Sequence, residues 1–445
     1  MEHSFLPIEN EIIKFHSLKR RALIITYYWP PAGGPGVQRW LKFVKYFREF
    51  DVEPIVYVPE NPHYPITDTS FKSDIPSDIT ILKHPIREPY RLAGLISKKK
   101  TKSISSGIIS KNEPSILERI LLYIRGNYFI PDARVGWVKP SAIYLKDYLS
   151  TNPIDVVITT GPPHSLHLIG LRLKEQLNVN WIADFRDPWT TIHYHKSLRL
   201  TRSAELKHKK LESGVLKSAD AIVVTSPTTK KQFERITEKE ITVITNGYDI
   251  EEGVITNLDT QFTCAHIGSL LSDRNPKVLW KVLSEIIEEI PSFKTDLQLL
   301  FAGMISDEVI SDISSFGLTD NLKLVGYVSH DAAVQLQFNA QLLLLVEIDS
   351  TETRSIIHGK LFEYLRAKRP ILALGPEGSD ISKIISDTES GSFFKYQEES
   401  KLKEQIISYY NRYKEGKLNI SSSKIEQYSR RELTAKMAHV ILKFS

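Results

Sequence analysis

Apolar, β-branched runs alternate with stretches of helical periodicity along most of the chain. In the first half the pattern predicts strands at 22–28, 54–58, 79–83, 155–160, 181–184, 221–225 and 241–245, with helices at 37–49, 165–176, 203–217 and 228–234. The rhythm then restarts. Strands at 262–267, 297–302, 322–325, 342–346 and 371–374 alternate with helices at 276–289, 307–316, 332–338 and 360–366. Such alternation predicts parallel sheets with helices on both faces, and two series predict an α/β protein of two Rossmann-like, doubly wound domains facing a central cleft. Ligand is then expected at the carboxyl ends of the strands, in that cleft. The boundary falls in 250–261, where polar residues replace the periodic pattern, giving domains at 1–250 and 251–420 and a C-terminal segment at 421–445. A last helix, 432–444, can pack back across the first domain or stay on the second.

A length of 445 residues agrees with two domains, because one hydrophobic core seldom serves so long a chain. The content of 41% hydrophobic and 25% charged residues is ordinary for a soluble globular protein. The single cysteine, Cys264, cannot form an internal disulfide or a multi-thiolate metal site, which suits a reducing, cytoplasmic setting. Residues 1–20 carry Glu2, Glu9, Glu11, Lys14, Lys19 and Arg20 and do not resemble a secretory signal. No segment has the apolar length of a membrane span. The net charge of +5 is too modest to imply nucleic acid and suits anionic substrates or an anionic membrane surface. One segment, 91–125, escapes the alternation: Arg91, Lys98, Lys99, Lys100, Lys102, Lys111, Arg119 and Arg125 face only Glu113 and Glu118. It reads as a basic insertion that meets an anionic membrane from the cytoplasmic side, or as a solvated loop followed by a helix packed on the first domain.

Candidate chemistry gathers at the predicted strand ends. In 355–375, His358-Gly359-Lys360 precedes a helix that Arg369-Pro370 stops. Free N–H groups at that helix start, with Lys360, suit phosphate, while Glu363 suits a ribose or sugar hydroxyl. The alternative is a surface glutamate improving its helix terminus. After the first strand, the loop around Gly33 and Gly34 lacks the dinucleotide spacing, yet its backbone can approach a diphosphate; it also reads as a tight connection. Thr159-Thr160-Gly161-Pro162-Pro163-His164 and Ala183-Asp184-Phe185-Arg186-Asp187 end two strands, offering His164, Asp184 and Asp187 to acceptor hydroxyls. A structural reading pairs Arg186 with an aspartate and uses His164 as a helix cap. In the second half, Gly268-Ser269 leads to Arg274 just ahead of Pro276, a natural place for bidentate phosphate contact.

With these motifs in order, the chain resembles retaining glycosyltransferases of family four, which have the GT-B architecture. The resemblance runs from Tyr27-Tyr28-Trp29-Pro30-Pro31 through Asp184-Phe185-Arg186-Asp187, Asn246-Gly247-Tyr248-Asp249, Gly268-Ser269 and Gly359-Lys360-Leu361-Phe362-Glu363 to Tyr428-Ser429. It implies transfer of a sugar from a nucleotide-diphosphate donor to a glycan or lipid-linked acceptor, without metal or resident cofactor, in polysaccharide or glycoconjugate synthesis. Glu363 matches the second glutamate of the family's E-x7-E pattern, which holds the ribose. Ser355 stands where the first glutamate contacts the sugar; either that work passes to Ser355, to a backbone group or to an acid such as Glu352, or the activity is altered. The family's arginine after the glycine is replaced by Ser269, Arg274 takes the later basic position, and Lys360 restores positive charge. Two other readings share these letters: a nucleotide-sugar epimerase of the same architecture and a non-catalytic sugar-nucleotide-binding subunit.

Overall fold

The computed structural model describes residues 19–88, 116–192, 195, 198–249 and 256–444. Two wholly parallel sheets organise them. The first is built from β1 (Arg20–Ile25), β2 (Val52–Pro59), β3 (Thr80–His84), β4 (Val156–Gly161), β5 (Trp181–Phe185), β6 (Ala221–Val224) and β7 (Ile241–Val243), in the order β3-β2-β1-β4-β5-β6-β7. The second is built from β8 (Phe262–Ile267), β9 (Leu297–Ala302), β10 (Leu322–Gly326), β11 (Leu342–Val346), β12 (Ile371–Gly375) and β13 (Gly391–Lys395), in the order β10-β9-β8-β11-β12-β13. Both orders reverse direction once, between β1 and β4 and between β8 and β11. A crevice opens at each switch point, where connecting segments leave toward opposite faces.

Strands such as β11, Leu-Leu-Leu-Leu-Val, are buried throughout, as expected for parallel strands covered on both faces. In the first half, helices α1 (Pro35–Tyr46), α2 (Ile116–Tyr128), α3 (Val138–Thr151), α4 (Ser165–Leu177), α5 (Arg202–Ser218) and α6 (Pro227–Phe233) surround the sheet. The second half carries α7 (Lys277–Glu289), α8 (Pro291–Asp296), α9 (Asp307–Ser315), α10 (His330–Asn339), α11 (Gly359–Ala367), α12 (Asp380–Asp387) and α13 (Glu399–Lys414). The last helix, α14 (Arg430–Leu442), places Leu433, Met437, Val440 and Ile441 in one apolar cluster with Trp40, Leu41 and Val44 of α1.

The two halves touch at defined points. Tyr248 bridges to Ser429 as the chain passes between them, and a Cβ on Gly247 would collide with the Tyr428 carbonyl. The Asp380 carboxylate, at the start of α12, accepts from the backbone N–H of Thr228 at 3.0 Å and from its hydroxyl at 2.9 Å. No helix among the described residues is long and apolar enough to cross a membrane. Of the basic segment 91–125, residues 91–115 lie outside the described residues, as do 1–18 and much of the expected boundary at 250–261.

Candidate functional site

At the second switch point β8 ends in Gly268, whose φ of +111° only glycine adopts without strain. A Cβ there would lie 3.0 Å from the Lys360 Nζ. Gly303, with φ +122° at the end of β9, presses on it: an added Cβ would come within 2.8 Å of the Gly268 carbonyl. The chain then passes exposed Ser269 and a 3-10 turn, Ser272–Arg274. The half-buried guanidinium of Arg274 has no hydrogen-bond partner among the described residues, and its charge acts on His266, His358, Lys360 and Glu347.

Helix α11 begins beside it. His358 occupies the N-cap in extended conformation, and no side chain caps the first turn. Backbone N–H groups there remain available to an anion, with the helix dipole behind them. Gly359 meets nothing within 4 Å of an added Cβ, so packing does not require a glycine there. Lys360 extends to His266, with Nζ 3.0 Å from Nε2. Burial, then the neighbouring charge of Arg274, lowers its pKa to about 7, against a smaller opposing effect of Glu363. Glu363 lies in the second turn and accepts from the Gln337 amide at 2.9 Å. Ser355 is buried ahead of the helix.

Two residues at this switch point escaped the sequence reading. Glu347 follows β11 directly, fully buried, with both oxygens accepting from the Ser379 hydroxyl at 2.8 and 3.0 Å. Burial lifts its carboxyl to about 8, even though Ser379 and Arg274 pull it down. A lone acid closing an apolar strand was the signal that could have found it. The other is His266, inside β8.

At the first switch point, several expectations change. Asp184 does not sit at the cleft edge: it is fully buried, in a 2.8 Å ion pair with Arg39, and also accepts from Trp40 Nε1 and Thr160 Oγ1, each at 2.8 Å. Burial alone would raise its pKa; the Arg39 charge and these hydrogen bonds outweigh that and hold it below the usual carboxylate range. With no exposed surface, it presents neither oxygen to an acceptor hydroxyl. Arg39, not Arg186, is its ion partner. Arg186 donates to the carbonyls of Gly36, at 2.8 Å, and of Pro162. Asp187 is half-buried beside it and adds to its charge balance.

His164 is not a side-chain cap. The first amide of α4, on Ser165, donates to Asp132 at 2.9 Å instead. The His164 ring is buried, stacks on Trp189 with centroids 5.0 Å apart, and neither ring nitrogen has a hydrogen-bond partner among the described residues. Burial and the neighbouring His167 keep it neutral. Gly33 is explained by packing: its N–H donates to the Ile66 carbonyl at 2.9 Å, and a Cβ would meet the Ile66 side chain at 2.9 Å. Gly34, with φ +86°, forms the N-cap of α1 with open space around it. Both glycines belong to the first half, ahead of α1. Ser269, Arg274, Gly359, Lys360 and Glu363 are thus brought to one place on the second sheet, whereas Gly33, Gly34 and His164 lie on the other half. Among the described residues no group of three or more His, Cys, Asp or Glu side chains is arranged to hold a metal ion.

Residues 108–252 match the family model Glycosyltransferase Family 4. The matched stretch spans about a third of the chain and is similar to that family. Solved structures extend the likeness over the whole chain. The N-terminal domain of Candida albicans trehalose-6-phosphate phosphatase is 14% identical, with 96% of this chain and 97% of that one covered and a TM-score of 0.61. The apo lipopolysaccharide outer core galactosyltransferase WaaB is 13% identical over 95% of this chain and 99% of that one, at 0.55. Sucrose-phosphate synthase from Thermosynechococcus elongatus is 12% identical over 95% and 98%, at 0.52. At these identities the likeness establishes the fold, which is GT-B. No curated protein matches the chain.

Proposed function

We propose that this chain is a retaining glycosyltransferase of family four that moves a hexosyl group from a nucleotide-diphosphate donor to a glycan or lipid-linked acceptor. The observation that carries the reading is the convergence of Arg274, Lys360 and the uncapped start of α11 at the second switch point, with Glu363 one turn further along. A departing nucleoside diphosphate gathers negative charge on its β-phosphate. Two cations and oriented amides in a partly dry crevice stabilise that charge without a metal. Glu363 retains an oxygen beyond its Gln337 contact for a ribose hydroxyl. On the opposite side, His164 lies buried against Trp189 with both ring nitrogens closed to solvent, so it shapes that wall and does not meet the acceptor's hydroxyl directly. Attack occurs on the face from which the phosphate leaves, and the phosphate takes the hydroxyl proton. Asp184 contributes by holding β4, β5 and α1 together, and not by touching sugar.

A membrane-held acceptor suits the surface of α2. That helix buries Leu122 and sets Gly126 against Leu198 and Leu200, while Ile120 (50% exposed), Tyr123, Ile124 and Tyr128 (74%) face outward at helical spacing. With the basic run preceding it in sequence, this face fits an anionic bilayer on the cytoplasmic side. The test of the main reading is a thermal-shift screen of nucleoside diphosphates followed by product analysis with the matching sugar donors. Stabilisation by a nucleoside diphosphate with transfer of the sugar, anomer retained, is expected. Isomerisation of a nucleotide sugar without acceptor, or binding with no turnover across a broad acceptor panel, overturns it.

A further inference from the structure

His266 lies inside β8, almost wholly buried, and spans the second switch point. Its Nδ1 is 3.0 Å from the Leu344 carbonyl of β11. A carbonyl oxygen only accepts, so Nδ1 carries the proton. Burial and the nearby charges of Lys360 and Arg274 keep the ring neutral. Nε2 therefore has a free lone pair, and the group 3.0 Å away from it is the Lys360 ammonium. The Ser269 carbonyl approaches the same nitrogen at 3.4 Å, beyond the usual range for an N–H···O bond. A proton on Nε2 would have to leave Nδ1, setting two lone pairs against each other at Leu344. The tautomer is thus fixed by the strand pairing.

We infer that His266 is a positioning residue for the donor diphosphate: locked to β11 through Nδ1, it accepts from Lys360 and holds that ammonium over Gly268. The inference rests on the donor reading above. It adds why a histidine occupies a buried strand position where its neighbours are apolar, and why Gly268 must lack a Cβ. A lysine on a flexible four-carbon stem loses much rotamer freedom when it is aimed; a pre-placed acceptor removes that cost before the donor arrives. Of the three ammonium protons, one goes to His266 and the others remain for phosphate oxygens.

Two measurements on the full chain test this. Nitrogen-15 spectra of histidine-labelled protein, with His266→Gln to assign the signal, should show His266 as the Nδ1–H tautomer between pH 6 and 8; the Nε2–H tautomer or the imidazolium overturns the contact. The second is a double-mutant cycle of UDP and GDP binding, read calorimetrically. His266→Leu should weaken whichever nucleotide binds by about tenfold, the size of one charge-assisted hydrogen bond. His266→Gln, whose amide reaches the Nε2 position, should recover to within about threefold. In a Lys360→Met background, His266→Leu should change affinity less than about twofold, since the route to phosphate is already gone. An equal loss in both backgrounds means that His266 acts only as packing, and overturns the proposal. If wild-type protein binds neither nucleotide nor inorganic pyrophosphate, the donor reading itself falls and the positioning role with it, a result distinguished from the others by the wild-type arm.

Discussion

Asp184→Asn should unfold the first half early, and should not act as a lesion of sugar transfer in an intact protein. The carboxylate receives Arg39 Nη2 and Nε, Trp40 Nε1 and Thr160 Oγ1, at 2.8 to 3.3 Å, and Arg39 also donates to the Thr245 carbonyl at 2.8 Å. An asparagine keeps one oxygen and turns an amide donor toward the remaining donors. Removing one partner of a buried ion pair costs about 3–5 kcal/mol, because the other charge stays buried. With a urea slope of about 3 kcal/mol per M, the midpoint should drop by at least about 1 M. Tryptophan fluorescence reports it, since Trp40, Trp181 and Trp189 are buried in the first half. The pH dependence has a definite sign. A folded pKa held below the unfolded value near 3.9 contributes stability that is present above that value and is lost as pH falls through the folded one. In the variant this acid-side loss should shrink. A variant that unfolds at the wild-type midpoint yet loses transfer would refute this reasoning and return Asp184 to the acceptor site.

Glu363→Gln should weaken donor binding roughly 10–100-fold with the fold intact, from the loss of a charge-assisted acceptor of about 1.5–3 kcal/mol; unchanged kinetics with every accepted donor removes Glu363 from the site. Arg274→Ala should cut turnover far more than it lowers Tm, and activity should survive chelator; a strict need for Mg²⁺ or Mn²⁺ contradicts the charge assignment. Lys360 faces Arg274, His266, His358 and Glu363, and its lowered pKa of about 7 means that the ammonium is lost from the free protein as pH rises past 7. Nucleoside diphosphate binding at pH 8 should therefore take up protons, and calorimetry in buffers of different ionisation enthalpy that shows none rejects that pKa. Ile120→Ser with Tyr128→Ser, or Lys98, Lys99 and Lys100 to Gln, should reduce sedimentation with phosphatidylglycerol vesicles at low salt; equal binding to neutral vesicles rules out an anionic membrane role.

The alternation of the sheets was legible because parallel strands buried on both faces are written as apolar runs, and those need no knowledge of their neighbours. What the periodic pattern missed has local causes. Strand β13 lies at a sheet edge with most of its residues only partly buried, so its run is weakly apolar. Helix α3 buries Val138, Ser141, Ala142 and Leu145 at helical spacing, but two of these are too small to mark a stripe. Helix α13 is largely polar, although Leu402, Ile406, Tyr409 and Tyr410 do recur at the right interval. The direction taken by α14 depends on which surface offers an apolar stripe to match its own, and α1 supplies that surface from nearly the opposite end of the sequence.

Residue type and strand-end position singled out Asp184, Lys360, Arg274 and Glu363 alike, and the structure separates them by saturation. Asp184 is buried and gives both oxygens to groups that no local pattern reveals, Arg39 being 145 residues away. Arg274 and Lys360 are the reverse, cations at a crevice with fewer partners than donors, kept apart from the acid that would neutralise them because the nearby Glu347 carboxyl is lifted to about 8 and turned into Ser379. Ser379 is also the N-cap of α12, whose first residue, Asp380, grips Thr228 of the other half. The charge balance at the second switch point and the contact that joins the two halves therefore share one helix start.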